Sequence, residues 1–99
     1  MQAWYPAAFE REMGCTAAEF RAQLPGACAG RPIELGADHA RVVVGQGTLR
    51  IEWRTLAPRR IALLNIPRLA VSFRFEQVDE ATRQHAMRFF DLFTQRGGG

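Results

Sequence analysis

The chain contains no lysine, only two cysteines, two histidines and one tyrosine, and it has no long apolar run. Each shortage closes off a class of function. A membrane span needs about 18 consecutive apolar residues, and no stretch approaches that. The opening segment MQAWYPAAFERE carries charges where a secretory signal needs an unbroken apolar segment. The expectation is a cytoplasmic protein with no membrane partner. Cys15 and Cys28 form no CxxC pair and have no chelating histidine nearby, so no metal site is expected. Cys15 stands near a helix start, where a thiol pKa can fall, but its inward strand phase reads as burial. Both cysteines are expected to be reduced packing residues. Acid–base catalysis has few candidates: His39 follows Asp38 in a polar turn, and His85 falls on the polar side of a helix. Gly45 and Gly47 mark a tight turn between strands and lack the helix N-terminus that a phosphate loop uses. No cofactor and no enzymatic activity are expected.

Without lysine, the net charge of +3 comes from 13 arginines against 10 carboxylates. The planar fork of arginine suits phosphate and carboxylate contacts. With 15 alanines and 9 glycines beside it, the bias reads instead as the output of a GC-rich, bacterial genome. At 99 residues, 47% hydrophobic and 23% charged, the chain makes one globular domain over 1–99 and excludes disorder or low complexity. Residues 1–7 read as an N-terminal arm and 97–99 as a flexible glycine tail.

The hydrophobic period divides the chain. From Ala8 to Cys15 it is two, with Phe9, Met13 and Cys15 on one side and Glu10 and Glu12 on the other, which predicts a strand. Thr16 and Glu19 then form a capping box, predicting a helix from about Ala17 to Leu24 that Pro25 and Gly26 end. Residues 25–37 read as a connection, with Ile33 to Leu35 a short edge strand. Four strand-like segments follow: Ala40 to Val44, Thr48 to Leu56, Arg59 to Ile66 and Arg68 to Glu76, with turns at Gly45-Gln46-Gly47 and Ala57-Pro58 and a break at Pro67. Leu49, Ile51 and Trp53 alternate with arginine and glutamate, as do Leu69, Val71, Phe73 and Phe75. The last helix has Asp79 as N-cap and buries Met87, Phe90 and Phe93.

The predicted fold class is α+β: strand, helix, antiparallel four-strand meander and long C-terminal helix, with the helices on one face of the sheet. This order is similar to the fold of TATA-binding-protein repeats and of the helix-grip lipid-binding domains, in which a curved sheet grips a C-terminal helix. The resemblance covers most of the chain at the level of topology, and no sequence motif of either group is present. Its helix-grip side implies a carrier of a small hydrophobic ligand.

The sequence favours a non-enzymatic binding or assembly protein. A ligand pocket would be lined by Trp53, Phe73, Phe75, Phe90 and Phe93. Arg11 is the local conflict, since it shares the inward phase of Phe9 and Met13; it either snorkels at the layer edge or pairs inside with a carboxylate, and it is the candidate ligand-binding guanidinium beside those aromatics. Weak nucleic-acid binding without sequence preference would use Arg41, Arg50, Arg54, Arg68 and Arg74 on the outward strand phase, which Glu52 and Glu76 dilute. Arg59-Arg60, after Pro58, reads as a charged hairpin tip or loop end. A homo-oligomer or protein partner would meet Trp4, Tyr5 and an open sheet edge.

Overall fold

The computed structural model describes residues 2–96; the expected glycine tail at 97–99 lies outside them. The described residues form strand β1 (Ala8–Met13), helix α1 (Ala17–Ala27), strands β2 (Ile33–Leu35), β3 (His39–Val44), β4 (Gly47–Ile61) and β5 (Leu64–Glu76), and helix α2 (Glu80–Arg96). The strands make one antiparallel sheet in the order β1-β5-β4-β3-β2. β2 to β5 are the meander, and β1 returns to pair along β5. The fold is therefore α+β, with Ile33–Leu35 an edge strand at one side and β1 at the other.

The local signals work as their chemistry requires. The Glu19 N–H donates to Thr16 Oγ1 at 3.1 Å while the Thr16 N–H donates to Glu19 Oε1 at 2.8 Å, closing both halves of the capping box. At the start of α2 the Asp79 carboxylate accepts from the N–H of Thr82 at 3.1 Å. Helix α1 runs three residues past the expected stop at Leu24 and carries Pro25 inside its last turn. The turn survives because Cys28 N–H reaches the Leu24 carbonyl at 2.9 Å and Gly30 N–H reaches that of Pro25 at 3.1 Å. Gly47 at the start of β4 lies so close to the backbone carbonyls of Glu76 and Gln77 that no Cβ fits there.

The inward phase is buried throughout. Leu49, Ile51, Trp53, Leu69, Val71, Phe73 and Phe75 form one layer with Phe20 and Leu24 of α1 and Met87 and Phe90 of α2. Its centre is Phe73, stacked on Phe9 at 4.9 Å and edge-on to Phe90 at 5.3 Å, while Phe20 meets Trp53 edge-on at 5.3 Å. Phe93 departs from the expected stripe. It is 36% exposed, lying against Gly26 of α1 at the rim and stacking on Phe89.

The largest correction concerns residues 57–66. They were expected to hold a turn at Ala57-Pro58 followed by a separate strand. Instead Leu56 pairs with Arg68, the register shifts, and Arg59↔Ile66, Arg60↔Asn65 and Ile61↔Leu64 continue the same ladder. Ala57-Pro58 is thus a β-bulge, opposite Pro67, and the true turn is Ala62-Leu63. A proline lacks the N–H a ladder needs, which explains a bulge as well as it explains a turn.

Phe73→Ala removes the side chain shared by three strands' worth of packing and α2, and should cost about 3–5 kcal/mol in chemical denaturation. Phe93→Ala should cost clearly less, because its ring is already partly in water; equal losses would contradict the rim position.

Candidate functional site

The aromatic residues that would line a pocket fill the core instead of enclosing space. Trp53, Phe73, Phe75 and Phe90 are buried, and the void between α1, α2, β3 and β4, bordered by Val42, Leu49, Met87 and Phe90, is only about 10 Å³. That is at the lower limit for a single water. The Trp53 indole N–H has no hydrogen-bond partner among the described residues, and it faces packed side chains. Burial pushes the thiols of Cys15 and Cys28 up, the latter to about 11, so neither is an activated thiolate. Both are free and buried. Among the described residues no three His, Cys, Asp or Glu side chains gather as metal ligands would. His39 sits exposed beside Asp38, with Nδ1 3.0 Å from a carboxylate oxygen, and His85 is exposed on α2.

The conflict at Arg11 is resolved by α2. Arg11 Nη1 donates to Asp91 Oδ1 at 2.6 Å and Nη2 to Gln2 Oε1 at 2.7 Å, while its guanidinium lies 5.3 Å from the Phe73 ring centre. The Tyr5 hydroxyl donates to the other oxygen of Asp91. Gln84 closes the Tyr5 backbone on both sides, accepting its N–H at 2.8 Å and donating to its carbonyl at 2.6 Å. Tyr5 was expected to remain available to a partner. It is fully buried, because an amphipathic ring beside a buried carboxylate gains both apolar contact and a charge-assisted hydrogen bond. Trp4 is 53% exposed, yet its indole donates to Glu80 at 2.8 Å and Arg83 covers its ring. The N-terminal segment is a strap fastened to α2.

Beside the rim of α2, where Phe89, Leu92 and Phe93 stay partly exposed, two further surfaces carry no such covering. On the outer sheet face Arg74, Arg50 and Arg41 lie directly opposite one another across β5, β4 and β3. Like charges placed so destabilise a sheet; Glu34 stands opposite Arg41 on β2, and among the described residues only Arg50 of the three has a carboxylate within 4 Å, Glu52 at 3.9 Å. The adjoining row is Glu10, Ser72, Glu52 and His39, so the arginine band is narrow. Open depressions of about 550 and 470 Å³ flank Ser72.

The second surface is the far half of the β4–β5 hairpin. β3 pairs with β4 only as far as Glu52, and β1 reaches β5 only from Leu69 onward. Beyond the Trp53 N–H, which donates to the Asp38 carbonyl at 3.0 Å, the two strands have ladder partners only in each other. They form a bare ribbon, in a molecule measuring 46 × 29 × 21 Å. Its bulge is braced by Arg68, which donates to the Ala57 carbonyl at 3.1 Å and to Glu12 at 2.7 Å. That hydrogen bond holds the Glu12 carboxyl below its ordinary range. Arg59 reaches the same carboxylate at 3.7 Å, while Arg54 and Arg60 have none within 4 Å among the described residues. At the end, Leu63 is fully exposed, Leu64 is 64% exposed and Ile61 51%. Ala62 turns the chain at φ 53°, a region that alanine disfavours and that Asn or Gly would occupy freely.

The expected nucleic-acid residues are therefore divided. Arg41, Arg50 and Arg74 form the band, Arg54 stands where the ribbon leaves the sheet, and Arg68 is a brace. The tip residues Ile61, Leu63 and Leu64 were not singled out from the sequence. The available signal was electrostatic: between Glu52 and Glu76 the chain has five arginines (Arg54, Arg59, Arg60, Arg68, Arg74) and no carboxylate. No protein-family model matches the chain, and no curated protein matches it.

The strap gives a site-specific pH test, because Tyr5 is the single tyrosine. Burial and then the Asp91 carboxylate push its hydroxyl from 10.0 up to about 12, with Arg11 opposing. From pH 10 to 12 the unfolded chain loses this proton first, so stability must fall as pH rises through that window. Absorbance titration of the folded protein should give a phenolate midpoint near 12, and Asp91→Asn should lower it. A midpoint at the ordinary value would mean that the hydroxyl is free.

Proposed function

We propose that this protein is a non-enzymatic binding module whose working element is the β4–β5 ribbon, with the outer-face arginines as a secondary contact for polyanions. The observation that carries this reading is the tip. A solvent-facing turn is stabilised by Asn, Asp and Gly, yet Ile61-Ala62-Leu63-Leu64 puts apolar side chains and a strained alanine there. A two-stranded ribbon is at best marginally stable by itself, so it gains little for the fold. Local rules broken without benefit to the core mark residues kept for a partner.

Other readings have less support. The helix-grip likeness would favour a hydrophobic-ligand carrier, but a void of about 10 Å³ leaves no chamber for one. An assembly surface of Trp4, Tyr5 and a sheet edge loses Tyr5 to Asp91. Pro58 and Pro67 further reduce the ribbon's capacity to add a strand along its edges. The two histidines stand exposed, one on β3 and one on α2, which supports a binding role over acid–base catalysis.

The test uses the full chain and short duplex DNA of mixed sequence as a generic polyanion. Arg59→Gln with Arg60→Gln should reduce the slope of log affinity against log salt by up to about 2, with no dependence on DNA sequence. Joining Leu56 directly to Arg68 through an Asn-Gly turn removes the ribbon end at a paired position and should leave the fold intact. If both variants bind as the parent does, the ribbon is not the binding element.

A further inference from the structure

Resting on that reading, we propose that the ribbon's partner is an anionic membrane surface, with Ile61, Leu63 and Leu64 entering the interface and Arg59 and Arg60 meeting the lipid phosphates. The expectation of no membrane partner came from the lack of a spanning run, and no helix among the described residues is long and apolar enough to cross a membrane. Neither fact bears on a hairpin that touches a surface.

Three observations carry the inference. The apolar side chains are at the extremity of a projecting ribbon, with Leu63 at its apex, so a soft surface can cover them from both sides without a matching cavity. The charges lie behind them in the order an interface requires. With a strand rise of about 3.3 Å per residue, Arg60 and Arg59 stand roughly 7–10 Å behind the Ala62-Leu63 turn. That spacing agrees with the depth of about 5–10 Å to which interfacial apolar faces enter at the headgroup boundary. Finally, the charge has one sign: residues 53–75 carry no carboxylate, so nothing on the ribbon itself opposes an approach to anionic headgroups. Ala62 and Leu63 lie beyond the last ladder pair, Ile61↔Leu64, and backbone outside a ladder keeps the tip in the hydrated interface, since the hydrocarbon core offers it no partners. A nucleic-acid groove fits less well. The ribbon end has no aromatic side chain to stack on bases, and Asn65 is its one amide for reading their edges.

The experiment is co-sedimentation of the full chain with vesicles of phosphatidylcholine alone or mixed with phosphatidylglycerol. Binding should need the anionic lipid and weaken with salt. Leu63→Asn with Leu64→Asn touches only exposed side chains; it should lower vesicle affinity by about tenfold or more while leaving DNA binding unchanged. Leu63→Trp should bind more tightly and shift its emission to the blue on anionic vesicles. Equal vesicle binding by the Asn variant and the parent would overturn membrane entry while leaving the arginine ribbon as a polyanion site. Loss of DNA binding at physiological salt in that variant would make the tip a nucleic-acid wedge and overturn the proposal. So would a parent dimer that the variant dissolves, which would give the tip to a second copy. If neither vesicles nor DNA depend on any ribbon residue, this inference and the function it rests on fall together.

Discussion

Phe73 stands at the crossing of β1, β4, β5 and α2, and the register of the sheet and the docking of the last helix both depend on it. Its ring stacks on Phe9 and meets Phe90 edge-on, and its backbone is opposite both Phe9 and Ile51. A shift of either pairing by one residue would replace these rings with the arginines and glutamates of the other phase. The chain has apolar side chains for only one sheet face, so both helices must share that face and the other stays in water. What is available to a partner is then the outer face, the ribbon beyond it and the partly exposed rim of α2 at Phe89, Leu92 and Phe93.

The polar strap belongs to the same constraint. Bringing β1 beside β5 puts Arg11 over the Phe9 and Phe73 rings, where an unpaired guanidinium would be costly. Asp91, buried on α2, answers that charge, and Tyr5 and Gln2 complete the hydrogen bonding. The N-terminal segment is thereby drawn onto α2, which removes the aromatic residue that had been expected to serve an interface. The interior has thus consumed its rings, its thiols and its one buried carboxylate for stability. What remains uncommitted includes a narrow arginine band, a ribbon with arginines and bare leucines, and the α2 rim of Phe89, Leu92 and Phe93.

Much of this was legible because it is local. The capping box of Thr16 and Glu19, the inward phase of Leu49 to Trp53 and of Leu69 to Phe75, and the glycine turn before Thr48 depend on backbone geometry within a few residues. The ribbon was half legible. Arg59 and Arg60 read as near a tip, but the expected turn lies five residues before the true one, since Ala57-Pro58 is an ordinary turn signal and Ala62-Leu63 is not. A functional site that breaks turn chemistry hides from a reading built on turn chemistry.

By itself the sequence determined the α+β class, the side of each strand that is buried, and the starts of both helices, because the side-chain period and the caps act over one or two turns of chain. Only the tertiary structure decided that Arg11 pairs with Asp91, that Tyr5 goes inside, and that residues 54–68 extend beyond the ladders of both neighbouring strands. Those outcomes depend on which distant elements meet and where their pairing stops. Such contacts are set by register and by the competition for one apolar face, and no short stretch of sequence encodes either.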